Sequence, residues 1–440
     1  MNTMPKQILS ARWVIPVEPK NTVLDDHSIV IKGGRILALL PRAEALAQFP
    51  DAAETKLVNH VLIPGLVNLH NHAAMTLMRG LADDTPLMTW LNDHIWPIES
   101  KFLSESYVHD GTELACAEMI RSGTTCFADM YFYQDVGAKV VKAAGMRAAL
   151  GGAVIDFPTP YAADADAYIA RALASREMFL GDPQLKLMLT PHAPYTVSDE
   201  TFRKLVTIAN EMDDITIMCH IHETLGETVD GIKIHGDRPI ARLERLGVLN
   251  PNLIAVHCVH LNESEIQLFN VRGVHVAHCP TSNLKLASGI AQIKVMLDAG
   301  VNVGIGTDGC ASNNRLDMFA ETRLAALLQK GVTGDAAALP ALQALEMATL
   351  NGAKALQWDA DIGSLVPGKA ADIVAVNLDT LETQPCYHPA SHLWHAAGRE
   401  HVSHVWVAGE LLLDNRRLTT IDIDALKAKA TTWGERFRHH

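Results

Sequence analysis

The stretch Pro64-Gly65-Leu66-Val67-Asn68-Leu69-His70-Asn71-His72 continues the apolar run Val61-Leu62-Ile63 and ends it in two histidines one residue apart. Only a Pro-Gly turn and one asparagine interrupt the apolar character. On a strand, residues i and i+2 share a face, so both imidazoles point the same way. Two neutral ring nitrogens converging at a strand's end make a chelating arm for a divalent transition metal such as zinc. Alone, one His-x-His among 21 histidines is weak evidence. Its weight comes from what the chain places downstream.

Strand-like runs and helical patterns alternate after it. The strands read as Leu62 to His70, Thr124 to Met130, Arg147 to Gly151, Leu185 to Pro191, Ile215 to His220, Leu253 to His257, Val274 to His278 and Val301 to Thr307, with helices such as Glu105 to Arg121 and Leu316 to Gln329 between them. This is the rhythm of a parallel sheet, and eight such units predict a closed (β/α)8 barrel with its active site at the C-terminal ends of the strands. Both flanks are β-rich instead. Gln7 to Val14 and Ser28 to Ile31, with the turn Lys32-Gly33-Gly34-Arg35, are matched near the other end by Gly363 to Val376 and His404 to Leu412. These are hairpin signals, and they suggest one small sheet domain assembled from both termini.

Composition narrows the function classes. At 440 residues the chain accommodates a barrel of about 200 to 250 residues and an accessory domain. With 20% charged and 48% apolar residues it reads as a soluble globular protein. A formal net charge of -13 and the lack of any Lys/Arg run argue against nucleic acid as a partner. The N-terminus, Met1-Asn2-Thr3-Met4-Pro5-Lys6, lacks the basic and apolar regions of a secretory signal, and no run of about 18 apolar residues suggests a membrane span. The seven scattered cysteines fit buried free thiols in a reducing cytoplasm. Without a Cys-x-x-Cys pair, zinc ribbons and the deaminases built on Pro-Cys-x-x-Cys are excluded.

Titratable residues mark the predicted rim strand after strand. The fourth strand ends in Pro191-His192, the fifth in Cys219-His220-Ile221-His222-Glu223-Thr224, the sixth in Val256-His257-Cys258 and the eighth in Gly306-Thr307-Asp308-Gly309. One histidine satisfied by a core hydrogen bond is ordinary; a whole rim of them is not. His70, His72, His220 and Asp308 would supply three nitrogens and a carboxylate oxygen to a metal and leave a coordination position for water, whose pKa zinc lowers to about 7. Asp308 would be both ligand and proton acceptor, its second oxygen remaining free. Glu223 is placed to protonate a leaving group or ring nitrogen, and His257 to hold the water by hydrogen bonding.

Together with His278-Cys279-Pro280-Thr281-Ser282-Asn283 and Gly306-Thr307-Asp308-Gly309-Cys310-Ala311-Ser312-Asn313-Asn314, these segments resemble the amidohydrolase superfamily over nearly the whole chain. More narrowly they resemble its 5-methylthioadenosine/S-adenosylhomocysteine deaminases, relatives of the triazine chlorohydrolases. The resemblance implies a metal-dependent hydrolase barrel over residues 61–364 and a β-sandwich from residues 1–60 and 365–440. It implies a cytoplasmic enzyme, a dimer or tetramer in many such folds, that removes the amino group from the adenine ring of a nucleoside by hydrolysis of a cyclic amidine C–N bond. It assigns His70, His72, His220 and Asp308 as metal ligands, Glu99 to the ribose hydroxyls, His192 to the substrate, Glu223 to protonation of the purine ring nitrogen and His257 to the water. Trp90 falls where an aromatic lies against the purine, with a core or lid position as the alternative. Ser312 is a further substrate contact, or else a helix N-cap.

Two departures from the family refine this expectation. Binuclear members bridge two metals with a modified lysine at the end of the fourth strand, but here the strand ends Leu189-Thr190-Pro191-His192, so one metal is expected. Zinc and iron(II) suit three histidines and one aspartate equally. Members that take S-adenosylhomocysteine are expected to offer arginine to its carboxylate from the loop after the third strand, yet Gly151 to Ala170 contains neither arginine nor lysine. Phe157, Pro158, Pro160 and Tyr161 would suit an apolar methylthio group, so methylthioadenosine is the expected preference. Hydrolysis of an s-triazine or of guanine is the alternative chemistry, and Glu99 discriminates, because neither ring carries a ribose. A metal-free assembly protein on the same fold would have lost ligands, whereas all four are present. The terminal Arg438-His439-His440 reads equally as native sequence or as a tag remnant.

Overall fold

The computed structural model describes residues 6–212 and 214–438. The N-terminal residues 1–5 and the terminal His439-His440 discussed above lie outside them. In chain order the strands are β1 (Gln7–Val14), β2 (Leu24–Lys32), β3 (Arg35–Pro41), β4 (Ala53–Pro64), β5 (Leu66–Asn71), β6 (Thr124–Tyr131), β7 (Arg147–Val154) and β8 (Leu185–Pro191). They continue with β9 (Thr216–Ile221), β10 (Leu253–His257), β11 (His275–His278), β12 (Asn302–Ile305), β13 (Ile373–Asn377), β14 (Val402–Val407), β15 (Glu410–Asp414) and β16 (Arg417–Leu418).

β5 to β12 form one eight-stranded sheet in sequential order, its strands paired in parallel. Every residue of β5, β6 and β7 is buried, which explains why these strands read as continuous apolar runs: helices cover the outside while the interior fills with side chains. The sheet curls until its edges meet. Across the seam, Thr307 N–H donates to Asn68 Oδ1 (2.9 Å), Asn68 Nδ2 donates to Thr307 Oγ1 (2.7 Å), and Asp308 N–H donates to the His70 carbonyl (3.0 Å). The one polar interruption of the opening stretch thus stitches the first barrel strand to the last.

The remaining strands make a second sheet, in the order β16-β15-β14-β13-β4-β1-β2-β3, drawn from both ends of the chain. It folds back on itself: Ala371 N–H donates to the Gly34 carbonyl (2.9 Å) and Gly409 N–H to the Ala371 carbonyl (3.0 Å), bringing the β2–β3 turn onto the β14–β15 turn. Leu9, Ile29, Ile31, Leu62, Ile373 and Trp406 pack in the core this encloses. The result is the two-layered β unit expected from the terminal hairpin signals.

One strand differs from expectation. The run Leu62 to His70 is two strands: β4 ends in the terminal sheet at Pro64, and β5 opens the barrel at Leu66. Gly65 is the pivot. A Cβ there would lie 2.0 Å from Thr125 Oγ1, and its N–H donates to the Asp372 carbonyl (2.9 Å). Because Val61 and Ile63 of β4 are buried in the same continuous core as Leu66, Val67 and Leu69 of β5, hydrophobicity runs through the break and conceals it.

The two sheets are joined by a buried ion pair. Arg147, at the start of β7, donates through Nε to Asp372 Oδ2 (2.7 Å) and through Nη2 to Oδ1 (3.2 Å), and the latter also accepts from Ala408 N–H (2.8 Å). Both side chains are under 5% exposed. Asp372→Ala leaves a guanidinium buried without its counter-charge and is expected to lower stability by roughly 3 to 5 kcal/mol in a urea melt. A loss below about 1 kcal/mol would contradict this account of the junction.

Candidate active site

The rim residues converge as their strand ends require. His70 Nε2 lies 3.2 Å from His220 Nε2 and 3.3 Å from Asp308 Oδ1, and His72 Nε2 lies 3.2 Å from the same oxygen. A tetrahedral ion with bonds of about 2.0 to 2.1 Å has donor-to-donor edges of about 3.3 to 3.4 Å. These three separations match such edges, the facing nitrogens of His70, His72 and His220 all lie within 4.8 Å of one another, and three imidazole nitrogens turned toward one point have no mutual attraction to hold them there. The donor set therefore fits a single divalent ion. The outer nitrogen of His72 donates to the Met130 carbonyl (2.6 Å), which fixes the tautomer that leaves Nε2 a free lone pair. His70 Nδ1 faces Met218 Sδ at 3.3 Å.

Asp308 departs from the sequence expectation in one respect. Its Oδ2 is not free: it accepts from Ser282 Oγ (2.6 Å) and from Ser312 Oγ (2.8 Å), while Oδ1 accepts from Gly309 N–H (2.8 Å). Ser312 is accordingly buried behind the carboxylate and does not border the cavity, and the N-cap of its helix Cys310–Asn313 is Gly309. The reason is backbone geometry. Asp308 has φ 62°, so the chain turns sharply and brings the next helical turn back under its own side chain. His257 (φ 72°) and His222 (φ 51°) end their strands in the same left-handed region, and such strain in residues other than glycine gathers at functional sites.

Glu223 is 5% exposed, with Oε2 3.8 Å from His257 Nε2. Burial pushes its carboxyl above the usual range, assisted by Asp308 and opposed by His257 and His72. The backbone that presents it is held by Glu227, whose two oxygens accept from the N–H groups of His222 and Glu223 (both 2.9 Å). His257 donates through Nδ1 to Asn283 Oδ1 (2.8 Å), which leaves Nε2 an acceptor facing the site. His192 packs against His220 with ring centroids 4.9 Å apart, its Nδ1 bonded to Thr196 Oγ1 (3.0 Å). Burial among these imidazoles holds its pKa down to about 3, so the ring is neutral.

These groups line one end of a cavity of about 750 Å³, mouth included. Trp90 and Trp96 roof it from a π-helical turn, Trp90–Ile95, and the helix Trp96–Phe102 that follows. A π-turn breaks the regular helical register and is common at functional sites. Glu99, on that second helix, reaches the cavity wall, and its carboxyl is raised to about 7 by burial against the opposing hydrogen bond from Tyr131. Of the four loop residues expected at the methylthio end, only Phe157 borders the cavity, packed 5.8 Å from Trp96; Tyr161 lies behind Phe132. Among the described residues lining the cavity there is no arginine or lysine. Arg171, the nearest cation in sequence to the loop, caps Tyr161 at 4.6 Å instead.

Several contributors escape a reading by strand ends alone. Glu227 carries a detectable signal, since Thr224-Leu225-Gly226-Glu227 is a capping-box pattern, and Thr224 does accept from Glu227 N–H (3.2 Å). Asn283 and Ser282 sit in the quoted segment after the seventh strand, but their partners His257 and Asp308 lie elsewhere in sequence. Asn68 acts only once the barrel closes, and Tyr131 only once the segment carrying Glu99 folds over the end of β6.

Comparison with known proteins agrees with this geometry. The amidohydrolase family model matches residues 61–412. A 5-methylthioadenosine/S-adenosylhomocysteine deaminase of Teredinibacter turnerae is 45% identical over 431 residues, covering 97% of each chain. A 5′-deoxyadenosine deaminase of Methanosarcina acetivorans is 41% identical, again over 97% of each chain. The crystal structure of an adenosine deaminase from Xanthomonas campestris with bound zinc is 48% identical, covers 99% of each chain and has a TM-score of 0.96. With matches of this extent to both sequence and structure, the chain belongs to the amidohydrolase family.

Proposed function

We propose that this enzyme hydrolyses the amino group from the adenine ring of a 5′-modified adenosine, 5′-methylthioadenosine above all, releasing ammonia and the corresponding inosine. The observation that carries this reading is the arrangement of a single cavity: a metal-binding cluster with a protonatable Glu223 at one end, and Glu99 on the wall contributed by the lid. The three relatives act, by their names, on adenine nucleosides that differ at the 5′ position. An s-triazine or guanine carries no vicinal diol for Glu99 to hold.

A divalent ion, zinc as in the 48% identical adenosine deaminase structure, would be held by His70, His72, His220 and Asp308 and would supply a Lewis acid that makes water nucleophilic at neutral pH. His257 Nε2 hydrogen-bonds the attacking water and orients its lone pair toward the carbon bearing the amino group, and one of the water's protons passes to the Asp308 carboxylate. Glu223 protonates the adjacent ring nitrogen, without which that carbon is a poor electrophile. As the carbon–nitrogen bond breaks, the proton taken from water goes to the departing ammonia, and the proton of the new hydroxyl returns to Glu223. Neutral His192 hydrogen-bonds the substrate, Trp90 lies against the purine, and Glu99 accepts from the vicinal hydroxyls of the ribose. The same reading makes the enzyme cytoplasmic and homo-oligomeric, with no nucleic-acid partner; no helix among the described residues is long and apolar enough to cross a membrane.

The test follows the ultraviolet shift from adenine to hypoxanthine with methylthioadenosine, S-adenosylhomocysteine and adenosine. Because the lining holds acidic groups and no cation, the zwitterionic tail of S-adenosylhomocysteine finds no partner for its carboxylate. The expected kcat/KM is about tenfold or more higher for methylthioadenosine, the scale of one unpaired charged group. A ratio favouring S-adenosylhomocysteine overturns the preference. No turnover of any of the three, with ammonia released from guanine or a triazine, overturns the function.

A further inference from the structure

We propose that Tyr131 is a positioning residue for ribose recognition: its hydroxyl holds the Glu99 carboxylate in the orientation that accepts a vicinal diol, and Tyr107 and the C-terminal helix hold Tyr131 in turn. This rests on the nucleoside reading above and extends it to the residues that hold Glu99.

Tyr131 is the last residue of β6, only 4% exposed, and its hydroxyl lies 2.6 Å from Glu99 Oε1. A hydroxyl has one proton, and so short a contact to a carboxylate takes it. The Tyr107 hydroxyl, itself buried, lies 3.5 Å from that of Tyr131, a longer contact that packs behind the short one. One oxygen of the carboxylate is pinned from behind, and the remaining lone pairs are left for two hydroxyls that approach together.

The buttress continues to the far end of the chain. Trp433 and Phe437, on the helix Ile423–Arg438, pack on the Tyr107 ring at 5.6 and 6.3 Å between centroids. Phe437 also packs on Phe102 at 5.2 Å, the last residue of the helix that carries Glu99. Phe437 therefore touches both the helix that carries Glu99 and Tyr107, whose ring lies 6.3 Å from that of Tyr131, so the two sides are tied by packing more than three hundred residues away in sequence. Without the tyrosine hydroxyl, Glu99 keeps its charge and place but is free to rotate about its terminal torsion, and a two-point acceptor becomes a one-point acceptor.

The experiment compares kcat and KM of the intact enzyme and of Tyr131→Phe on methylthioadenosine and on its 2′,3′-dideoxy analogue. Removal of the hydroxyl is expected to raise KM for methylthioadenosine about tenfold with kcat within about twofold, and to leave the dideoxy analogue unchanged. In a Glu99→Gln background, Tyr131→Phe is expected to add nothing further. Tyr107→Phe should show the same selectivity at about twofold to threefold, because its contact is longer. An equal loss on both substrates would make Tyr131 merely structural and overturn the proposal, as would no change on either. Should the intact enzyme deaminate neither compound, the nucleoside reading falls and takes this proposal with it; should it deaminate both equally well, only the role of Glu99 and its tyrosines falls.

Discussion

Glu223→Gln is expected to lower kcat for methylthioadenosine by about a thousandfold while KM changes by less than about threefold, the signature of a group that acts in the transition state and not in binding. The side chain is in place for this role on three counts. It borders the cavity beside His257, its backbone is locked by the two Glu227 contacts, and burial keeps its carboxyl protonated further up the pH scale than an exposed glutamate. Glutamine preserves the shape and can donate a hydrogen bond to the ring nitrogen, but it cannot transfer the proton. Substrate therefore still binds and the carbon stays unactivated. The sign of the pH effect follows as well: with the acid form required and its folded pKa raised, kcat/KM of the intact enzyme falls as pH rises through that pKa, and the variant loses this alkaline limb. A variant that kept within tenfold of the original kcat would show that the ring nitrogen takes its proton elsewhere.

How much of this was legible in the sequence depends on the range of the interaction. The clustered histidines His70, His72 and His220 were readable because each ends an apolar strand run, so local pattern and final geometry carry the same information. Glu105–Arg121 was readable as a helix for the same reason, and Ser104 does cap it. The break at Gly65 was not, because one continuous core buries Ile63 and Leu66 on either side of it, and hydropathy records burial without recording which sheet a strand joins. The free oxygen expected on Asp308 failed on backbone conformation: its left-handed φ folds Ser312 back under the carboxylate, and nothing in local composition announces that turn. Asn68 is instructive in another way. It was visible as the one polar residue in the run, yet its partner Thr307 lies 239 residues on, and only barrel closure reveals that the amide supplies the seam bonds a strand pair would otherwise make. The methylthio wall shows the limit of loop composition, since of four residues in one loop the fold turns only Phe157 to the cavity.

Glu99→Gln should separate function from stability in opposite directions. On methylthioadenosine a loss of about a hundredfold in kcat/KM is expected, because the amide replaces an anionic acceptor of two hydroxyls with one neutral acceptor and one donor that opposes a hydroxyl hydrogen. On the 2′,3′-dideoxy analogue the loss should be under about threefold, which separates lost recognition from general damage. Stability moves the other way. Burial raises the folded carboxyl to about 7 from an ordinary value of 4.5, so between those limits the folded state binds more protons than the unfolded chain and folding becomes less favourable as pH rises. The penalty is absent below about pH 4.5 and complete above about pH 7; because the carboxylate borders the water of the cavity, it amounts to about 2 kcal/mol rather than the full value of the shift. Glutamine carries no such penalty. The variant should therefore melt higher than the parent at pH 8 and show no gain at pH 5, a difference readable by thermal denaturation at the two pH values. On the proposed reading, a carboxylate that weakens the fold at this position is retained for the hydroxyls of the ribose. If Glu99→Gln instead melted lower at pH 8 and lost both substrates equally, Glu99 would be a structural residue and the substrate would have to be sought among rings without a sugar.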